Sequence, residues 1–330
     1  MTRRPPLFAT LLTRTLACIT SVALIAHAAQ AEEISVTQWG TSLYGLPYAV
    51  AMDKGYFKQA GIDITGILGS GGGGTTVRNI LASDTPYGEV ALSAALAAKR
   101  QGLDLVFVNV GTRSVAEASA VVAKDSPLAS VKDLAGKKIA ITSPKGVSEM
   151  LLLMVLQKEG VDPTSVSRVA SGGYVNGLTL LDQQAVSAAV LIEPLSITRQ
   201  ADYKTLYRAG EVLEPMTTSV GITTRAFAQA HPDKLKAILE GRRQAVQFIY
   251  QHPDEAAAIL AKAFTFEPAI AQQATTNMVK SHMWSEGDFN QAELERMANG
   301  LRLVGEVTEA VAWKSMIDTA YLPADLQEIR

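Results

Sequence analysis

The stretch Ile62-Asp63-Ile64-Thr65-Gly66-Ile67-Leu68-Gly69-Ser70-Gly71-Gly72-Gly73-Gly74-Thr75-Thr76-Val77-Arg78-Asn79-Ile80-Leu81-Ala82 decides the fold class. A β-rich run, Ile62 to Leu68, enters a run of glycines and leaves it as a helical stretch, Thr75 to Ala82, which is the order strand, loop, helix. The same order recurs outward in both directions. Ile34 to Gln38 reads as a first strand and Pro47 to Ala60 as a helix. Leu105 to Val110 is the apolar, β-branched run of a buried strand. Lys138 to Thr142 reads likewise and opens into a helix from about Val147 to Glu159. Such alternation is the mark of βα units in a mostly parallel sheet, so the class is α/β. The C-terminal part is more helical, with Leu235, Ile238, Leu239, Val246 and Ile249 on one face. His231-Pro232-Asp233 and His252-Pro253-Asp254 each mark a helix start, with proline in the first turn and an acid favoured by the helix dipole.

At 330 residues, 48% hydrophobic and 19% charged, the chain is long enough to bury a substantial core and to divide into two compact units. A net charge of −2 gives no broad basic surface, which argues against a nucleic-acid partner. Residues 1–31 read as an export leader: Arg3, Arg4 and Arg14 precede an apolar stretch from Leu16 to Ala26, then the small residues Ala29 and Ala31. Cleavage is expected after Ala31, leaving a soluble exported product with a charge of about −5. The single cysteine, Cys18, falls inside the leader, and Thr15 stands where a lipobox prefers leucine. The remaining chain therefore offers no disulfide, thiolate metal site or cysteine nucleophile. No metal spacing and no cofactor motif is present. Its three histidines, His231, His252 and His282, lie in helical C-terminal context without a G-x-S-x-G elbow, so a hydrolase triad is hard to build.

Candidate binding residues cluster where strands give way to helices. In the glycine run, Gly72, Gly73, Thr75 and Thr76 bring unhindered amides to a positive helix N-terminus, which favours an anionic group; the plainer reading is a surface turn. The run lacks the Lys-Ser/Thr ending of a P-loop and matches no dinucleotide fingerprint. Ser143-Pro144-Lys145-Gly146-Val147-Ser148 repeats the arrangement in the second half, where Ser143, Lys145 and Ser148 are candidates and Ser148 reads equally as a helix cap. Trp39, Thr41, Ser42 and Tyr44 follow the first strand at the carboxyl edge, where open α/β sheets bind ligands, although Trp39 also suits core packing. Arg113 is a candidate partner for a carboxylate or sulfonate against the reading of a solvated arginine. Tyr174 and Asn176 follow another strand. Glu193 either accepts a hydrogen bond from ligand or serves a hinge or wall.

The phrase running from Pro47 through Asp53-Lys54-Gly55-Tyr56-Phe57 to Gly61-Ile62, Asp133-Leu134-Ala135-Gly136-Lys137-Lys138-Ile139-Ala140, and the helix start His252-Pro253-Asp254-Glu255-Ala256-Ala257 resemble periplasmic substrate-binding proteins of the nitrate, sulfonate and taurine class. That class is related in fold to the hydroxymethylpyrimidine synthases, and the match covers essentially the whole chain after the leader. The resemblance implies a type II periplasmic-binding-protein fold, each lobe a mostly parallel sheet flanked by helices, with the ligand cleft between lobes. It places lobe one at 34–114 plus 218–330 and lobe two at 115–217. It implies a monomeric, non-enzymatic component of an ABC importer that meets a membrane permease and takes a small organic anion of the sulfonate or aromatic carboxylate class. The alternatives are an uncharged heterocycle, such as a pyrimidine precursor, and a periplasmic enzyme. Two departures stand out: where the family has Gly-x-Val-Asp, this chain has Gly88-Glu89-Val90-Ala91 and Gln184-Ala185-Val186-Ser187.

Overall fold

The computed structural model describes residues 32–330, so the leader expected at 1–31, with Cys18 and the cleavage at Ala31, lies outside the described residues. In chain order the strands are β1 (Glu32–Thr37), β2 (Ile64–Ser70), β3 (Tyr87–Ala91), β4 (Leu105–Thr112), β5 (Ala118–Ala123), β6 (Lys138–Ile141), β7 (Ser167–Ala170), β8 (Ala188–Ile192), β9 (Tyr203–Arg208) and β10 (Ser219–Thr224). They form two five-stranded sheets, ordered β2-β1-β3-β10-β4 and β7-β6-β8-β5-β9. In the first, β1 runs parallel to β2 and β3, while β10 is antiparallel to β3 and β4. In the second, β6 runs parallel to β7 and β8, while β5 is antiparallel to β8 and β9. Each sheet is therefore mostly parallel with one reversed strand. This is the α/β architecture that the alternating sequence demands.

The reversed strand of each sheet comes from across the chain. β5 follows β4 directly in sequence yet joins the second sheet, and β10 follows β9 yet joins the first. The chain thus passes between the sheets twice, through 113–117 and 209–218, and these short segments are the only backbone links that the strand order needs among the described residues. Away from the edge strands β2 and β7, which are largely uncovered, the strands read as apolar runs: every residue of β4 is buried. Ile34, Val36, Val90, Val110 and Ile222 are fully buried in the first sheet, as are Ile139, Ala140 and Ala188 in the second.

Two local features depart from simple pattern reading. The stretch expected as one helix from Pro47 to Ala60 is two, Leu46–Asp53 and Tyr56–Ala60, because Gly55 turns the chain through the left-handed region at φ 71°. The glycine run is shorter as a loop than it reads: β2 extends to Ser70 and the helix Gly73–Ala82 begins inside the run. A Cβ at Gly73 would lie 2.3 Å from that of Ala94, so glycine is what lets this helix start approach the neighbouring helix. The C-terminal helix Gln291–Leu303 reaches the helix Val147–Lys158 of the second sheet, where a Cβ at Gly300 would lie 2.5 Å from Met154 Sδ. The helices Pro232–Gln251 and Pro253–Phe264 start at the two His-Pro-Asp phrases, with proline in the first turn as expected. Among the described residues no helix is long and apolar enough to cross a membrane.

Candidate functional site

Parallel strands end at the same edge of a sheet, so the loops that follow them collect at one place. Here the ends of β1 and β2 face the ends of β6 and β8 across a cavity of about 310 Å³ lined by residues of both sheets. That volume suits a small organic molecule. Two helix N-termini open onto it: Gly72 caps the helix Gly73–Ala82 and Gly146 caps Val147–Lys158, neither with a side-chain cap bond. Their first amides are thus available to a polar group, with the helix dipole behind them.

The two halves hold these helix starts by the same device. Thr37, at the end of β1, lies 2.8 Å from the hydroxyl of Thr76 in the first turn of its helix, and Ser70 bonds the same hydroxyl at 2.5 Å. In the other half Thr142, just beyond β6, donates its amide to Ser148 Oγ at 3.0 Å and pairs with it through hydroxyls at 2.7 Å. Ser148 is therefore committed to Thr142 and does not cap its own helix. Thr37, Thr142 and Ser148 all border the cavity.

Of the candidate residues read from sequence, Tyr44, Gly72, Gly73, Ser143, Ser148 and Tyr174 line the cavity. Thr41 and Asn176 border an adjoining hollow that Tyr174 also lines. Ser42 accepts the Tyr44 amide and caps a short turn. Trp39 packs edge-on against Phe264 with ring centroids 4.8 Å apart, the core-packing alternative. Thr75 is exposed and accepts Arg78 Nη2 at 2.8 Å, whereas Thr76 is fully buried.

The two expected cations lie elsewhere. Arg113 makes ion pairs with Asp288 at 3.0 Å and Glu293 at 3.2 Å, because the turn after β4 directs it to the loop before, and the first turn of, the helix Gln291–Leu303. Lys145 takes the left-handed conformation at φ 61°, its side chain is largely exposed, and Nζ lies 4.0 Å from Glu306. Glu193 is buried, bonded by Arg208 at 3.1 Å and by Asn277 at 2.9 and 3.1 Å, and borders a separate hollow.

The residue that pattern reading missed is Glu117. It lies in the first crossing segment, lines the cavity, and has a buried Oε2 with no hydrogen-bond partner. Burial, and secondarily the charge of Glu193, push its carboxyl up to about 8. Ser119, two residues on, also lines the cavity with a buried hydroxyl that lacks a partner. Burial holds Tyr44 and Tyr174 well above the usual phenol range, so both stay neutral. Ala91 borders the cavity at the place where the family phrase carries aspartate. Only a strand-edge reading of Thr37 was open to sequence; nothing in Ala116-Glu117-Ala118 marks an acid that borders the cavity. Among the described residues no group of three or more His, Cys, Asp or Glu is arranged to hold a metal ion.

Two sheets with exchanged strands and a ligand-sized cavity between them define a protein of the periplasmic-binding-protein fold. The chain belongs to the NMT1/THI5-like family, whose model matches residues 43–256, and its resemblance to the nitrate and sulfonate class holds. A putative aliphatic sulfonates-binding protein of Bacillus subtilis (strain 168) is 22% identical over 287 residues, 86% of this chain and 85% of its own. The periplasmic aliphatic sulphonate binding protein SsuA from Escherichia coli is 18% identical and superposes with a TM-score of 0.71 over 87% of this chain and 97% of its own. The desulfurization enzyme DSZB shares the fold at 15% identity and a TM-score of 0.66, over 88% of this chain and 97% of its own. The fold is therefore compatible with binding and with catalysis, and the choice between them rests on the site.

Proposed function

We propose that this chain is the periplasmic substrate-binding component of an ABC-type importer, which encloses a small organic molecule between two lobes and presents it to a membrane permease. The observation that carries this is the cavity of about 310 Å³ between the sheets, with a helix start from each half opening onto it. The lobes are 34–114 with 218–330, and 115–217, and closure bends the crossing segments. The ligand contacts are Tyr44, Gly72, Gly73, Ser143, Ser148 and Tyr174. A binding role fits this site better than catalysis: among the described residues its lining includes no histidine, and its hydroxyls Thr37, Thr142 and Ser148 are bonded to other hydroxyls rather than to a base.

The sulfonates named for the relatives support an acidic group on the ligand, and here the amides and hydroxyls of the two helix starts would hold it, since Arg113 is paired with Asp288 and Glu293 and Lys145 does not line the cavity. A second reading, an uncharged heterocycle against Tyr44 and Tyr174, is favoured by a lining that holds no lysine or arginine among the described residues. Thermal unfolding of the purified protein against sulfonates, aromatic carboxylates, nitrate, amino acids and pyrimidines tests both. A ligand of the folded state raises the midpoint with concentration. A rise with acids supports the first, a rise with pyrimidines the second, and turnover of any bound compound would sink the binding role.

A further inference from the structure

Buried polar atoms nearly always have partners, so two without them on one cavity wall call for an explanation. Glu117 Oε2 and Ser119 Oγ are such atoms, and both residues line the cleft cavity. They stand two apart where the chain enters β5, Glu117 in the turn just before the strand and Ser119 within it, and both border the same cavity. The backbone there is fixed: the Glu117 carbonyl accepts the Glu193 amide at 2.8 Å, and Ser119 pairs with Leu191 of β8 and Arg208 of β9. The backbone that carries both side chains is therefore held by two neighbouring strands.

The charge around them is one-sided. Among the described residues no lysine, arginine or histidine lines the cavity, while Tyr44, Tyr174 and Tyr207 do. A carboxylate removed from water without a counter-charge is costly, and a cation in the ligand offsets that cost through a charge-assisted hydrogen bond. Aromatic rings around the same space favour a cation as well. Sulfonate or carboxylate oxygens set against Glu117 in its ionised form would meet repulsion instead, and they offer it no counter-charge.

We propose that Glu117 and Ser119 form the specificity-determining pair of the cleft and take a positively charged nitrogen group of the ligand, an ammonium or amidinium. This rests on the binding-component reading and adds to it that the ligand carries a basic nitrogen, whether or not it also carries an acid. Empty, the site holds a proton on Glu117 at neutral pH, because burial and the neighbouring Glu193 raise its carboxyl to about 8, with Tyr44 and Tyr174 the other titratable groups facing it. A cationic ligand displaces that proton: the O–H bond breaks, the proton passes to solvent, and the carboxylate pairs with the ligand N–H.

The test uses matched probes that differ only in the amino group: 4-(aminomethyl)benzoate against 4-methylbenzoate, and 3-aminopropanesulfonate against propanesulfonate, with benzylamine as a cation without an acid. Calorimetric titration of the purified wild-type protein, Glu117→Gln and Ser119→Ala is made at pH 6.5 and 8.5, in two buffers of different ionisation enthalpy. The expected result is at least tenfold tighter binding of an amino-bearing probe than of its partner. Its affinity rises from pH 6.5 to 8.5 with protons released to buffer, Glu117→Gln loses the advantage, and Ser119→Ala loses part of it. Equal or tighter binding of the des-amino acids overturns the inference and leaves the binding component standing. Retention of the amino preference in Glu117→Gln overturns the role of Glu117. Silence of every probe overturns the inference and withdraws support from the binding reading as well.

Discussion

Asn277 donates through one side-chain nitrogen to both carboxylate oxygens of Glu193, at 2.9 and 3.1 Å. This contact ties the helix Pro268–Lys280 to the turn after β8, and the amide of Glu193 in turn holds the carbonyl of Glu117 at 2.8 Å. The C-terminal helices are thereby linked to the first crossing segment, and so to the wall of the cavity. Glu193 is 1% exposed, and burial raises its carboxyl to about 7 even though Asn277 and Arg208 both favour its charged form.

Replacing Asn277 by alanine removes that donor and leaves Arg208, at 3.1 Å, as the remaining side-chain partner of a buried carboxylate. The expected loss is about 1–3 kcal/mol, the usual range for stranding a buried acceptor. Urea unfolding at pH 8 should show it fully, and unfolding at pH 5, where Glu193 is protonated in both variants, should show less. An equal loss at both pH values would mean that Asn277 matters for packing and not for the charge.

Stability should fall as pH rises from about 5 to about 8. The ordinary glutamate value is 4.5, and the folded values are about 8 for Glu117 and about 7 for Glu193, so across this window the folded state binds more protons than the unfolded state. Stability then decreases with pH, and above the folded values the cost is complete. Moving a carboxyl's titration by one pH unit is worth at most about 1.4 kcal/mol, and solvent screening at the half-buried Glu117 lowers that. Glu117→Gln should flatten much of the slope measured by thermal unfolding between pH 5 and 8.5. A profile unchanged by that substitution would show that its carboxyl is not the group being titrated.

The fold was legible because it is written in period and punctuation. Strand runs such as Leu105 to Val110, helix starts such as His252-Pro253-Asp254, and glycine at strand-to-helix turns are local signals that survive packing unchanged. The cavity lining was legible where it borrows those signals: Tyr44, Gly72, Gly73, Ser143, Ser148 and Tyr174 all sit where a strand gives way to a turn or helix start. Arg113 read as a ligand cation because sequence cannot show that Asp288 and Glu293, 175 and 180 positions on, come within 3.0 and 3.2 Å of it. Glu117 escaped notice for the converse reason, since its lack of partners is a property of three-dimensional surroundings and not of its neighbours in the chain.

Gly73→Ala tests the close approach at the first helix start. The new methyl would lie 2.3 Å from Ala94 Cβ, well inside van der Waals contact, and the helix must shift away from Ala94, which itself lines the cavity. Overpacking of this kind costs about 1–3 kcal/mol. Ligand affinity should fall along with the unfolding midpoint. Gly74→Ala, next along, serves as the control: its new Cβ would meet only Arg78 Nη1, at 3.9 Å, and both quantities should hold.

In the core, away from the cleft, Arg242 and Glu89 are 1% and 0% exposed and pair at 3.2 Å, joining the helix Pro232–Gln251 to β3. Arg242 also donates to the carbonyls of Ser285 and Gly111, both at 2.7 Å, while Glu89 accepts from Tyr48 at 2.8 Å and Ser219 at 2.6 Å. Burying two charges is offset only while they remain together, so Arg242→Met should cost about 3–5 kcal/mol by stranding Glu89 and the two carbonyls. Glu89→Gln alone strands the guanidinium, whose charge persists at any accessible pH. The double variant removes both charges, and its loss should be smaller than the sum of the single losses, with the difference read from a double-mutant cycle by urea unfolding. Simple additivity would mean that the two residues stabilise the fold through their separate hydrogen bonds and not as an ion pair.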